Sequence, residues 1–258
     1  MIEFDLHQAL QDAYDWDSIC QSLNDNLETI KVEQREAEAN QIWCQLQLFS
    51  IWRDYVNIYE LLKNKNYFEG WCEIEQVLIS NKYLIQNFPE ENRNTEFVSS
   101  HLIKLQLLFP YRLFLSTVMC IKKETCSICG SEISPWSNCG HIPGKIYNGQ
   151  LCLKVAKDFE ILGADIVLKP EHKYAVLFAQ DDMGHRIDNY DYSYVDTLIK
   201  CWKYPFQNWE LTMEELYINP SPTIKDADPC PCLRSFLTYA ECCKKRPGIL
   251  SHRFIITP

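Results

Sequence analysis

The chain has 258 residues and is 47% hydrophobic, which supplies the apolar side chains of a folded core and excludes a disordered chain. Its 35 acidic and 25 basic residues leave a net charge of −10, which argues against DNA as a partner and against broad binding to any polyanion. The longest apolar run, 105–118, is interrupted by Pro110, Tyr111 and Arg112 and falls short of a bilayer core of about 30 Å, so no membrane span is expected.

The first residues carry neither the basic region nor the apolar core of a secretory leader. Thirteen cysteines are therefore expected in a reducing, cytoplasmic setting, serving metal rather than disulfides. From the start to about Lys123 the periodicity is helical. Ile19, Leu23, Leu27 and Ile30 recur every three to four residues, as do Ile42, Leu46, Phe49, Trp52, Val56 and Tyr59. The polar stretch 31–40 either continues one exposed helix or marks a turn. A further helix is predicted over 67–84, after the polar turn 63–66, and another over 96–108, ended by Pro110 after a loop at 87–96. Trp16, Trp43, Trp52 and Trp71 are expected to anchor this bundle, and Cys20, Cys44, Cys72 and Cys120 to pack in it as small hydrophobes.

A cysteine-rich block follows. Cys126-x-x-Cys129-Gly130 is the knuckle spacing in which two thiolates take one ion and the glycine lets the backbone turn around it. Cys139, His141 and Cys152 supply three candidates for the two remaining positions of a tetrahedral Zn(II). The preferred set is Cys126, Cys129, His141 and Cys152, with Cys139 as the substitute. These residues, with the Cys-x-His-Ile-x-Gly-Lys-x-Tyr-x-Gly stretch beginning at Cys139, resemble a zinc finger of uncharacterised bacterial and phage-associated proteins. That resemblance implies a fold module, in a phage-defence or toxin-related setting, without an activity. Four protein ligands would leave no coordination position open to substrate. His141-Ile142-Pro143 followed by Asn148 also resembles an HNH nuclease segment, which is the rival catalytic reading. Gly140 stands where that family often has Asp, the second Cys-x-x-Cys pair is missing, and an acidic chain suits a polyanionic substrate poorly.

After Cys152 the period changes to two. Leu153, Val155, Phe159 and Ile161, then 164–168 and 174–178, predict two or three short antiparallel strands packed on the finger. The polar stretch 180–191, with Asp181, Asp182, His185, Asp188 and Asp191, has no regular ligand spacing and is expected to be a solvated loop. Helices are predicted over 192–204, ended by Pro205, and over 208–217, where Thr212 precedes Glu214 and Glu215. A proline-containing linker, 219–228, with a hinge at 217–226, leads to the tail.

In the tail, Cys230, Cys232, Cys242 and Cys243 can converge on a second tetrahedral Zn(II), with Pro229 and Pro231 keeping the approach extended. The Cys-Pro-Cys, Tyr239 and the Cys-Cys pair resemble the SEC-C motif, although Leu233-Arg234-Ser235 replaces its Gly-Ser-Gly and the interval is one residue longer. The resemblance covers about a tenth of the chain. It implies two Zn(II) per chain in all, and a tail that contacts an acidic protein face or a ribosome- or RNA-associated complex through the basic residues Arg234, Lys244, Lys245 and Arg246. No nucleophile–base pair, phosphate-binding loop or dinucleotide fingerprint occurs among eight glycines, so a non-enzymatic protein is expected. The fold expected is α+β: a helical domain at 1–123, a zinc-finger α+β domain at 124–218, and a linker with a metal-binding tail at 219–258.

Overall fold

The computed structural model describes residues 15–136, 139–232 and 236–257. The architecture is α+β, with the long helices first. They are α1 (Trp16–Val32), α2 (Glu36–Lys63), α3 (Tyr67–Asn87) and α4 (Asn92–Leu108), with a 3-10 turn at Pro89–Glu91. The strands are β1 (Phe114–Cys126), β2 (Glu132–Ile133), β3 (Ile146–Tyr147), β4 (Gln150–Leu151), β5 (Lys154–Val167), β6 (Ala179–Gln180) and β7 (Arg186–Ile187), then β8 (Glu210–Ile218) and β9 (Ile249–Thr257); helix α5 (Ser193–Cys201) lies between β7 and β8.

The described chain falls into two compact units, each assembled from separate stretches. One takes the residues up to Asn57, Gln76–Ser99 and Ile121–Glu160. The other takes Ile58–Glu75, Ser100–Cys120 and Ile161 onward.

In the first unit the stripe read from sequence is the core: Leu23, Leu27 and Ile30 of α1 bury against Ala39, Ile42, Leu46 and Phe49 of α2, with Trp16 and Ile19 packed alongside. Asp15 starts α1 by accepting a hydrogen bond from the Ser18 amide at 3.0 Å, which satisfies one of the orphan donors of its first turn. The stretch after Lys31 is a turn, not a continued helix. Gln34 adopts a left-handed φ of 57°, and the Arg35 guanidinium holds both Glu33 and Glu38 across the break. Trp43 stacks on Phe88 with ring centroids 6.3 Å apart, one of the expected aromatic anchors.

The second unit is dominated by aromatic packing. Trp71 meets Phe109, Tyr111 and Phe114 at 5.1, 5.0 and 6.3 Å, and its indole N–H donates to the Lys173 carbonyl at 2.6 Å. Arg186 lies over the rings of Phe68 and Phe178, at 4.5 and 4.6 Å, which meet each other edge to face at 5.2 Å, so one guanidinium gains from both rings. Antiparallel β8 and β9 pair over their full length, from Glu210 opposite Thr257 to Ile218 opposite Ile249.

Several sequence expectations are corrected here. The helical pattern stops at Leu108, and Phe114–Cys126 is a strand, with Thr117, Val118 and Ile121 supplying β-branched side chains. Residues 208–217 are not a helix. Thr212, Glu214 and Glu215 look like a helix start, but the nine registered pairs with β9 override that local preference. The expected short strands are one long strand over 154–167, β5, and within 174–178 Val176 bridges Phe114. Cys44 is buried as expected, whereas Cys120 is exposed on β1.

Candidate metal centres

The first cluster forms where β1 ends. The Gly130 amide donates to the Cys126 carbonyl and the Cys126 amide to the Ser131 carbonyl, each at 2.9 Å, closing the knuckle turn. Gly130 takes φ 70° there, a conformation without steric cost only for glycine. This turn aims Cys126 and Cys129 at Cys139 and His141, whose approach is bent at Gly140, φ 85°. The donor atoms of Cys126, Cys129, Cys139 and His141 all lie within 4.8 Å of one another. The Cys126 sulfur stands 3.7 Å from His141 Nδ1. Zn–S bonds of about 2.3 Å in a tetrahedron place ligand atoms about 3.8 Å apart, so these four can close on one metal ion.

The sequence reading prefers Cys152 with Cys139 as its substitute, and the structure groups the donors differently. Cys139, not Cys152, completes the mutually close set. Cys152 is buried and its sulfur lies 3.9 Å from that of Cys126, outside the four. Burial, then the neighbouring Cys126 thiol, push it up to about 11. For Cys126 burial also opposes ionisation, but the amides of Cys129 and Ile128 and the neighbouring thiols outweigh it and draw the thiol down to about 7. Cys129 is lowered by the Ser131 hydroxyl, 3.3 Å away, and by the Ser131 backbone. For Cys139 the His141 amide favours ionisation, but burial and the thiols of Cys129 and Cys126 outweigh it and raise the thiol, so mutual distance is what sets the four apart.

Helices of the same unit clamp this loop. Strands β3 and β4 are joined by Asn148 and Gly149, both with φ > 0, at 47° and 70°. The Gly149 amide donates to Asn40 Oδ1 at 2.7 Å and Asn148 Nδ2 to the Lys31 carbonyl at 3.3 Å. Asn87 Nδ2 donates to the Gly144 carbonyl at 2.8 Å. The sequence reading missed this hairpin, although Asn-Gly between Tyr147 and Gln150 is a type I′ turn signal.

The second cluster is the tail. Pro229 bridges Thr238, the Cys230 amide donates to the Leu237 carbonyl at 3.0 Å, and the Cys242 amide donates to Thr238 at 3.1 Å. This folds the chain back so that Cys230, Cys232, Cys242 and Cys243 converge, again within 4.8 Å of one another. The sulfurs of Cys232 and Cys242 are 3.6 Å apart, and those of Cys242 and Cys243 3.9 Å. Cys230 and Cys243 are buried against Ile249 and Leu250, with Tyr239 alongside. Burial would raise Cys230, yet the amides of Cys232 and Cys243 outweigh it and bring the thiol down to about 7.

The basic residues around it are less free than their sequence suggests. Lys244 pairs with Asp226 at 2.6 Å, and Lys245 helps hold the Glu241 carboxyl below its usual range, after the Thr238 hydroxyl and amide. Lys245 and Arg246 are exposed, and Arg234 lies outside the described residues. The expected hinge at 217–226 overlaps the end of β8 and then closes on turns, with the Ile224 amide donating to Ser221 and that of Asp228 to Lys225.

The acidic stretch 180–191 has structural tasks. Asp181 accepts from the amides of Met183 and His185, capping the β6–β7 turn, and Asp191 accepts from the Ser193 amide at the start of α5. No helix among the described residues is long and apolar enough to cross a membrane. Comparison with protein-family models, with curated proteins and with solved structures gave no match for this chain.

Proposed function

We propose that this chain is a cytoplasmic, zinc-binding interaction protein, holding two structural Zn(II) ions and docking on an acidic face of another protein through its C-terminal tail. The observation that carries this reading is that both clusters are complete four-donor sets, three thiols with an imidazole and four thiols. Such sets suit Zn(II), and they leave no position at which an ion could activate water or bind substrate.

The tail supports the docking role by its surface chemistry. Lys245 and Arg246 are exposed, and in the same tail Phe236 and Leu237 stand 66% and 47% exposed. Exposed basic and exposed apolar side chains in one tail suit an acidic protein surface on an otherwise acidic chain. An RNA or ribosomal surface is the competing partner, and the chain's net charge of −10 counts against it. Two observations weigh against the nuclease reading: His141 stands among the candidate metal donors, and Asn148 Nδ2 donates to the Lys31 carbonyl.

Metal analysis of the purified chain tests the first half, with two Zn(II) per chain expected. Affinity capture comparing the full chain with one truncated before Asp228 tests the second. A truncated chain that retains every partner, or divalent-metal-dependent cleavage of nucleic acid that is lost in His141→Ala while zinc is retained, would overturn the proposal.

A further inference from the structure

The ribbon formed by β1 and β5 carries a surface that the metal centres do not explain. The sheet order is β2-β1-β5, so among the described residues β5 is hydrogen-bonded on one side only, along 14 residues. The ion pairs Lys122–Glu160 and Lys154–Glu124, at 3.0 and 3.3 Å, run in opposite senses along the two strands and mark them as antiparallel. Both faces are open. On β5 alone Phe159, Ile161, Leu162 and Ile166 are 48–64% exposed. A long edge with this many bare apolar side chains is a template for another strand, and soluble chains either blunt such an edge or use it.

We infer that β5 is the interface of a symmetric dimer, in which the β5 strands of two copies pair antiparallel about a two-fold axis at Ile161. The strand is self-complementary in that register. Ile161 lies opposite its own copy, Phe159 opposite Gly163, Lys157 opposite Asp165 and Val155 opposite Val167, all on one face because side chains alternate along a strand. The two-fold makes the Lys157–Asp165 pair twice, and aromatic over glycine and aliphatic over aliphatic fill the remainder. On the other face Ala156 meets Ile166, Asp158 meets Ala164 and Glu160 meets Leu162, with no like charges opposed.

Neighbouring registers do worse. An axis at Glu160 sets that carboxylate against its own copy, and an axis at Leu162 sets Asp165 against Phe159. Charges on an edge strand ordinarily discourage pairing, but here the Lys157–Asp165 pair forms in this register and is lost in both neighbouring ones. Neither Lys157 nor Asp165 has an ion-pair partner within the chain among the described residues, so both are available to a second copy. A closed two-fold interface also consumes the edge, which an open stack of strands would leave growing.

The test is the association state of the intact, metal-loaded chain across a dilution series, by sedimentation, for the wild type, Lys157→Asp, Asp165→Lys and the double exchange. A wild-type dimer is expected. Each single reversal opposes like charges twice and should weaken dimerisation about tenfold or more, while the double exchange restores the pairs and returns the constant to within about threefold of wild type. Helical circular dichroism and metal content confirm that each variant is folded. If a single variant folds poorly, the double exchange still decides, because it keeps the strand's composition. A wild type that stays monomeric at every concentration, single reversals that dimerise unchanged, or a double exchange that fails to dimerise would each overturn the inference.

Discussion

Cys44 and Cys126 are both buried thiols, yet their acidities are displaced in opposite directions. Burial alone, reinforced by Glu91 and Glu90, pushes Cys44 up to about 12, whereas inward-pointing amides and neighbouring thiols bring Cys126 to about 7. Sequence spacing identified which cysteines cluster, but it could not choose between Cys139 and Cys152, because that choice depends on where Gly140 and the β3–β4 hairpin aim them. Metal content should follow the geometry. Cys126→Ser is expected to lose one of two ions and Cys152→Ser to keep both; a single ion in the Cys152 variant would restore it to the ligand set. His101 offers a second test at this scale. It is 3% exposed, with Nε2 3.2 Å from Asn208 Oδ1, and burial, followed by the charge of Lys104, lowers its pKa. The unfolded chain therefore binds the proton first. The stabilising contribution is complete above the unfolded value of about 6.5 and is lost as pH falls through and below it. Thermal stability should drop on acidification from pH 7.5, and His101→Asn should flatten that slope; an equally steep slope in the variant would exclude His101 as its source.

At the level of elements, helices were more legible than strands: the period-two reading after Cys152 falls on β5, whereas β1 and β8 lie in stretches read as helical. The 3.6-residue stripes of α1 and α2 are properties of local sequence, and the buried residues follow them one for one through Leu23, Leu27, Ile30, Ile42, Leu46 and Phe49. Strand β8 has no such local signature: its partner β9 lies 30 residues further on, and only that pairing makes Glu210–Ile218 extended. The most demanding single position is Gly149. Its φ is +70°, and an added Cβ would come 2.5 Å from Leu27 Cδ1 and 3.1 Å from the Ala39 carbonyl. Gly149→Ala should cost at least about 1–3 kcal/mol through the left-handed backbone alone, with the backbone clash in addition. Gly163→Ala, with open space around it, should change stability by less than about 0.5 kcal/mol. Parallel chemical denaturation of the two variants checks the contrast, and similar losses at both sites would refute the role given to the hairpin clamp.

For the whole molecule, the two clusters that could hold metal contain seven of thirteen cysteines, three in the first unit and four in the second. With Zn(II) bound those seven thiols are shielded, so a chelator should uncover seven additional thiols to a chromogenic disulfide reagent. Only three or four would mean that one centre alone holds an ion. Chelation should leave most of the signal of α1 to α4, whose cores contain no ligand residue, and melt the turns around the clusters.

The two longest ribbons share an arrangement: β1 and β5 are joined by residues 127–153, and β8 and β9 by residues 219–248, and each connection contains donors of one metal cluster. Closing a loop of about 30 residues before any strand pair can form is slow and entropically costly. An ion gathered early folds most of each loop into a knot of a few residues, so the strands meet as though joined by a short turn. Zinc would then govern the rate at which both ribbons find their register, and refolding without it should be slow and open to mispairing.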